Sequence, residues 1–275
     1  MVLSLGNAGM NFERVVLKPT ELSRSKNIKS NEQILKTKYL FLNLLRLLNP
    51  SLVLDVGSMD GSDSMRFRRM LPKGRIVAFE ANPYNYAKMQ NNPRLADLNI
   101  EVRNMMVSSK VEKGTFYISQ GAVEGKSGGN MGTSSSVKPV NAEEVAEVIE
   151  VDTTRIDDVI LELTNPSGWV ALWIDVEGAA YEVLSSVAAS KQQVAILHVE
   201  VELEEFWIGQ KLKKEVVSLA NELGLVLLAR SDNDKQQDLV FVHAKLVSDR
   251  SVMVSLAVIL AKWLGPASSR ILEKI

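Results

Sequence analysis

Leu52-Val-Leu-Asp-Val-Gly-Ser-Met-Asp-Gly-Ser62 decides the fold. A short apolar run closed by glycine reads as a buried strand, Leu52–Val56. Glycines at 57 and 61 let the backbone turn tightly and approach a ligand with no Cβ in the way. The polar, helix-like stretch Asp63–Leu71 follows, and its first turn presents unpaired N–H groups. This is the opening strand–turn–helix of an open α/β sheet.

The same alternation continues outward. Arg75–Glu80 and Ile100–Met105 read as strands, with a helix from Pro83 to Gln90 between them, capped by Asn82. Gly114–Ser119 and Val145–Val151 read as further strands, and Thr154–Leu163 as a helix. Then come strand Trp169–Val176, helix Gly178–Ala189, strand Val194–Val201 and helix Gly209–Leu223. Gly224–Ala229 and Leu239–His243 close the series as an antiparallel pair. Parallel strands with helical crossovers predict a doubly wound, Rossmann-like sheet. Ahead of it lie an irregular arm, residues 1–26, and a helix from Ser30 to Leu48. The expected division is an N-terminal arm and helix (1–49), a catalytic domain (50–245) and a helical extension (246–275). Residues 120–139, rich in Gly and Ser, read as a substrate-gating loop. Gly125-Lys126-Ser127 lacks the spacing of a phosphate-binding P-loop.

Composition narrows the chemistry. There are no cysteines, which excludes disulfides, thiolate nucleophiles and Cys-bound metals, and the two histidines, His198 and His243, argue against a multi-His site. The net charge of -1 gives no global signature for nucleic acid. A basic cluster, Arg66, Arg68, Arg69, Lys73 and Arg75, is the one local feature that favours a nucleic-acid substrate. No signal peptide is read, so a cytoplasmic location is expected. The apolar stretch Val252–Leu264, about 13 residues, is short of the ~20 needed to span a bilayer. It reads as an amphipathic helix docking on the domain or on a second copy of the chain, with a membrane interface as the alternative.

Four clusters carry candidate chemistry. Asp55 precedes the first glycine in a D-x-G-x-x-x-G pattern, which is not the dinucleotide fingerprint G-x-G-x-x-G. An acid there suits a cationic group, such as the amino group of a methionyl moiety, better than a pyrophosphate. Glu80 ends the second strand, where an acid can accept the hydroxyls of a ribose. Asp175 and Glu177 lie at the carboxyl end of an apolar strand, on one side of it by period two, and one of them suits a general base. His198, Glu200 and Glu202 alternate on the next strand. No metal is assigned, although a histidine among several carboxylates could hold Mg2+.

Together these segments resemble the FkbM-type methyltransferases, a branch of the class I S-adenosylmethionine-dependent enzymes. The matching stretches are LVLDVGSMDGSDS (52–64), VAFEANP (77–83), EVRNMMVSS (101–109), the serines 134–136, VDTTRIDDVI (151–160), WIDVEGAAYEVL (173–184) and ILHVEVE (196–202). The resemblance implies a seven-stranded sheet with a reversed last strand. It implies that Asp55, Gly57 and Gly61 surround the methionyl part of S-adenosylmethionine, with Ser58 and Ser62 as further cofactor contacts. Glu80 would hold the ribose, Asn104 and Met105 would flank the adenine, and Asn82 would be a further cofactor contact. Asp175 would lie near the methyl group, with Glu177 and His198 facing the acceptor as catalytic candidates. The implied reaction is O-methylation of a hydroxyl on a sugar, glycan or other small natural product. A dehydrogenase, a catalytically inactive cofactor-binding protein and a nucleic-acid methyltransferase are the alternatives.

Overall fold

The computed structural model describes residues 30–119, 134–141, 145–165 and 167–264. Helix α1 (Ser30–Leu48) leads into β1 (Leu52–Val56), α2 (Ser62–Met70), β2 (Arg75–Phe79), α3 (Pro83–Gln90), α4 (Pro93–Asp97) and β3 (Glu101–Arg103). A small excursion follows, β4 (Met106–Val107), β5 (Lys113–Ser119) and β6 (Val145–Thr154). The chain then returns through α5 (Ile156–Leu163), β7 (Val170–Ile174), α6 (Ala180–Ser185), β8 (Val194–Glu202), α7 (Lys213–Glu222), β9 (Leu225–Arg230) and β10 (Gln236–His243). Helices α8 (Ala244–Ser248) and α9 (Arg250–Leu264) close it.

Seven strands form the main sheet in the order β3-β2-β1-β7-β8-β10-β9. The pairs β1–β2, β2–β3, β1–β7 and β7–β8 are parallel. Strand β10 runs antiparallel between β8 and β9. This is the mostly parallel sheet with a reversed last strand that the sequence predicts. The sheet is covered on both faces, so β1 and β7 are buried at every position. On one face Leu52, Leu54 and Val56 pack under α5, α6 and α7. On the other, Val53 and Trp173 pack under α1 and α2, through Phe41, Leu45 and Phe67. Phe41 meets Phe67 and Trp173 edge-on at 5.5 and 5.2 Å.

Strand order reverses between β1 and β7, because the chain builds outward to β3 before returning beside β1. Loops diverge at such a point and leave a crevice beyond the carboxyl ends of the strands. The excursion forms its own sheet, β4-β6-β5, and walls this crevice on one side.

Several boundaries move from their sequence-based positions. Strand β7 stops at Ile174, so Asp175 and Glu177 stand in the turn beyond it rather than on the strand. Helix α6 is a short piece of the predicted Gly178–Ala189 helix. Strand β6 extends past Val151 to Thr154, and β10 starts at Gln236, earlier than Leu239. The arm 1–26 and most of the proposed gating loop lie outside the described residues. The part of that loop from Ser134 to Pro139 is tied down. Tyr117 and Ser135 exchange backbone hydrogen bonds at 2.8 and 3.0 Å, and Ile208 N–H donates to the Lys138 carbonyl at 2.8 Å.

The described part of the C-terminal extension docks on the domain, with Leu256 buried and Val252, Met253 and Ile259 against the α1-side core. Among the described residues no helix is long and apolar enough to cross a membrane. The basic cluster is largely spoken for. Arg68 donates to the carbonyls of Leu71, Pro72, Gly74, Leu98 and Asn99, which ties α2 to the turns around β2. Arg66 pairs with Asp63, and Arg75 with Glu101.

Candidate active site

The crevice at the reversal is lined by the ends of three neighbouring strands. Val56 and Gly57 come from β1, Phe79 and Glu80 from β2, and Asp175 and Glu177 from beyond β7. Met105, Met106 and Phe116 supply an apolar wall, and Ser134 and Ser136 a polar rim.

Gly57 is the point of closest approach. Its φ is +85°, and a Cβ placed there would sit 1.8 Å from the Asp175 carbonyl oxygen. Only glycine meets both demands. Gly57 and Ser58 N–H both donate to the Phe79 carbonyl, which pins the turn to β2. Asp55 projects to the α2 side, where its Oδ2 accepts from Ser58 Oγ and Ser64 Oγ at 2.8 and 2.5 Å. Its Oδ1 is buried with no hydrogen-bond partner. Burial pushes Asp55 up to about 7, against the two serine hydroxyls. An orphaned carboxylate oxygen at this depth is costly unless a donor arrives to meet it. Gly61 caps α2 at φ +77° and faces Leu95 rather than the crevice. Ser62 N–H donates to Asp60.

Glu80 is 6% exposed and faces the crevice from β2. Met59 N–H and Asn82 N–H donate to its two oxygens at 2.7 and 2.8 Å. Each oxygen keeps a lone pair for a ligand hydroxyl. Burial pushes Glu80 up to about 7, opposed by those two backbone donors. Asn82 is fully buried and works as the cap of α3, accepting from Tyr84 N–H at 3.0 Å. Asn104 braces the Glu80 backbone, donating to the Glu80 carbonyl at 2.8 Å. Neither asparagine lines the crevice, whereas Met105 does.

The turn after β7 carries the remaining carboxylates. Glu177 sits at φ +44° and Gly178 at +81°, two left-handed residues in a row. Three partners hold this strained pair. Ser135 Oγ donates to the Glu177 carbonyl, Gly178 N–H donates to Glu202 Oε1, and the Trp207 ring lies where a Cβ on Gly178 would fall. Burial first, then Asp175 and Glu202, pushes Glu177 up to about 8. Asp175 is also raised, by burial and then by Asp238 and Asp63, with Lys38 acting against them.

His198 does not reach the crevice. It is 1% exposed and stacks flat on Trp173 at 3.5 Å, under α1. Burial, then Lys38, drives its pKa well below 6.5, so the ring is neutral. Sequence reasoning also overlooked Ser135 and Trp207 as supports of the Glu177 turn. The serine triplet 134–136 was the available signal for the first; a tryptophan in a loop gave none for the second.

Residues 55–227 match the methyltransferase FkbM domain. The chain is 25% identical over 250 residues to the 2-O-methyltransferase NoeI of Sinorhizobium fredii (strain NBRC 101917 / NGR234), covering 90% of this chain and 96% of that one. Among solved structures, a precorrin-6y C5,15-methyltransferase from Geobacter metallireducens aligns with a TM-score of 0.42 at 13% identity, over 75% of this chain and 87% of that one. A putative O-methyltransferase from Klebsiella pneumoniae aligns with a TM-score of 0.41 at 13% identity, over 86% and 92%. The family match spans the turn after β1, the acid ending β2 and the carboxylates after β7, and by it this chain belongs to the FkbM methyltransferases.

Proposed function

We propose that this chain moves the methyl group of S-adenosylmethionine onto a hydroxyl of a sugar or other small polyhydroxylated acceptor. The observation that carries the reading is the arrangement of carboxylates around one crevice, with Glu80 at one end and Asp175 and Glu177 at the other. The bound donor supplies an activated methyl with a thioether leaving group. Gly57 allows the donor's chain to lie against the backbone, the orphan Oδ1 of Asp55 offers an acceptor for its ammonium, and Glu80 accepts from its ribose. Met105 and Phe116 exclude water from one side. Glu177 takes the proton from the attacking hydroxyl, a role suited to a carboxylate raised toward neutral pH. Asp175 shares that charge field and orients the acceptor. The 2-O-methyltransferase relative favours oxygen as the receiving atom. Residues 50–245 form the catalytic domain in this reading, acting in the cytoplasm.

The experiment is transfer from methyl-labelled donor to a panel of glycosides with free hydroxyls, comparing wild type with Glu177→Gln. Base-stable methyl ether is expected from the wild type, with kcat about 100-fold lower in the variant. Label recovered only on nitrogen or carboxylate, or an unimpaired variant, would contradict the reading.

Proton linkage is a second expected result. Asp55 and Glu80, both held near 7, are partly protonated in the free protein at neutral pH. A cation at Asp55 and hydroxyls at Glu80 favour the ionised forms, so binding S-adenosylhomocysteine at pH 7 releases protons. Affinity therefore rises between pH 6 and 8. Calorimetry in two buffers of different ionisation heat measures the release; proton uptake would be the wrong sign. Stability follows the opposite course. Both folded values lie above the unfolded ones, so this contribution is full below about pH 4 and is lost as pH rises through 7.

A further inference from the structure

We propose that Asp175, Glu177 and Glu200 form a site for a hard divalent cation, Mg2+ or Mn2+, beside the transfer crevice. One carboxylate oxygen from each can lie within 4.8 Å of the others. Ligands on opposite sides of one ion, each roughly 2.1–2.4 Å from it, span about this distance. The donors are all oxygen, which selects a hard ion over zinc or copper. Asp175 and Glu177 face the crevice, whereas Glu200 reaches the cluster from β8 and is not one of the crevice-lining residues. Glu200 already accepts from Gln236 Nε2 at 3.2 Å, and a donor molecule filling the crevice leaves its remaining lone pairs to another partner.

His198 supplies an independent observation. Its imidazole is 1% exposed, and neither ring nitrogen has a hydrogen-bond partner. It lies on the same face of β8 as Glu200, two residues away, and its Nε2 is 3.6 Å from Asp238 Oδ1. Asp238 is the residue directly across the ladder from Glu200. The ring thus points at Asp238, the neighbour of Glu200, at a distance too long for a hydrogen bond. A buried imidazole with both nitrogens unmet is rare in a finished core. Water in the coordination shell of a cation would supply the missing partner.

Charge points the same way. Glu200 and Asp238 face each other across β8 and β10, and Asp175 stands in the turn just beyond the neighbouring β7. Lys38 acts on Asp175 but is already paired with Asp63 at 2.8 Å. Burial first, and then neighbouring carboxylates, raise Asp175, Glu177 and Glu200; a cation would relieve the second of these causes. Its role for the acceptor rests on the methyltransferase reading: it would bind the receiving hydroxyl and ease loss of its proton to the Glu177 oxygen that is not on the ion.

The test is titration of the full chain, saturated with S-adenosylhomocysteine, with MnCl2 at pH 7.5, following free Mn2+ by electron paramagnetic resonance. Wild type should bind one Mn2+ per chain at about 100 μM or tighter, with Mg2+ competing. Glu200→Gln should weaken binding at least about tenfold. Should that variant misfold, Glu200→Asp, which keeps the charge one methylene short, should weaken it as well. No binding up to about 5 mM, or equal binding by folded variants, overturns the site. S-adenosylhomocysteine binding by metal-free protein separates the two ideas, since it leaves the methyltransferase reading standing even if the cation site fails.

Discussion

Replacing Gly57 by alanine is expected to abolish cofactor binding and to destabilise the domain by about 3 kcal/mol or more. Two causes add. The residue has φ +85°, which an L side chain rarely adopts, and the new Cβ would lie 1.8 Å from a backbone oxygen of Asp175. Backbone cannot step aside as a flexible side chain can, so the β1 and β7 turns would be forced apart. Gly61→Ala provides the contrast. That position also has positive φ, at +77°, but the new Cβ meets only the Leu95 side chain, at 2.8 Å. Its cost should be about 1–2 kcal/mol, with the crevice intact. Urea unfolding and S-adenosylhomocysteine titration of the pair measure both. Equal behaviour of the two variants would show that the approach of the β1 turn to Asp175 is not what shapes the crevice.

Asp55→Asn should separate stability from function. The amide oxygen can keep both serine hydrogen bonds, while the amide nitrogen replaces the orphan Oδ1. At pH 8 the native carboxylate is largely ionised in a fully buried position, at the expense of the free protein. The variant is therefore expected to melt about 3 °C higher at pH 8. Below pH 5, where the native group is protonated, the gain should vanish. Affinity for S-adenosylhomocysteine should fall about 100-fold, because a donor now meets the ligand's ammonium. Thermal melts at both pH values and one binding isotherm decide it. An unchanged affinity would place the ammonium elsewhere.

Much of this was legible in the sequence because a doubly wound sheet writes its strands as unbroken apolar runs. Leu52–Val56 and Val170–Ile174 are buried on both faces, so their pattern has no period to confuse. The glycines after β1 and the acid ending β2 sit at a strand end, where local sequence determines position. Other features depend on contacts far apart in the chain. Period two placed Asp175 and Glu177 on one side of a strand, but β7 ends at Ile174 and Glu177 turns into a left-handed conformation. What holds it there, Ser135, Glu202 and Trp207, comes from segments on either side of the sequence motif. Alternation likewise put His198 on the face shared with Glu200, but not beneath the helix that covers it. Arg68 looked like part of a basic surface until its five carbonyl partners were in place.

The most direct measurement is calorimetric titration of the purified chain with S-adenosylhomocysteine at pH 7.5, alongside Glu80→Ala. One site with a micromolar Kd in the wild type, weakened about 100-fold in a variant that keeps its fold, is the expected result. A well-folded wild type that binds no S-adenosylhomocysteine would contradict the assignment of this crevice to a methyl donor.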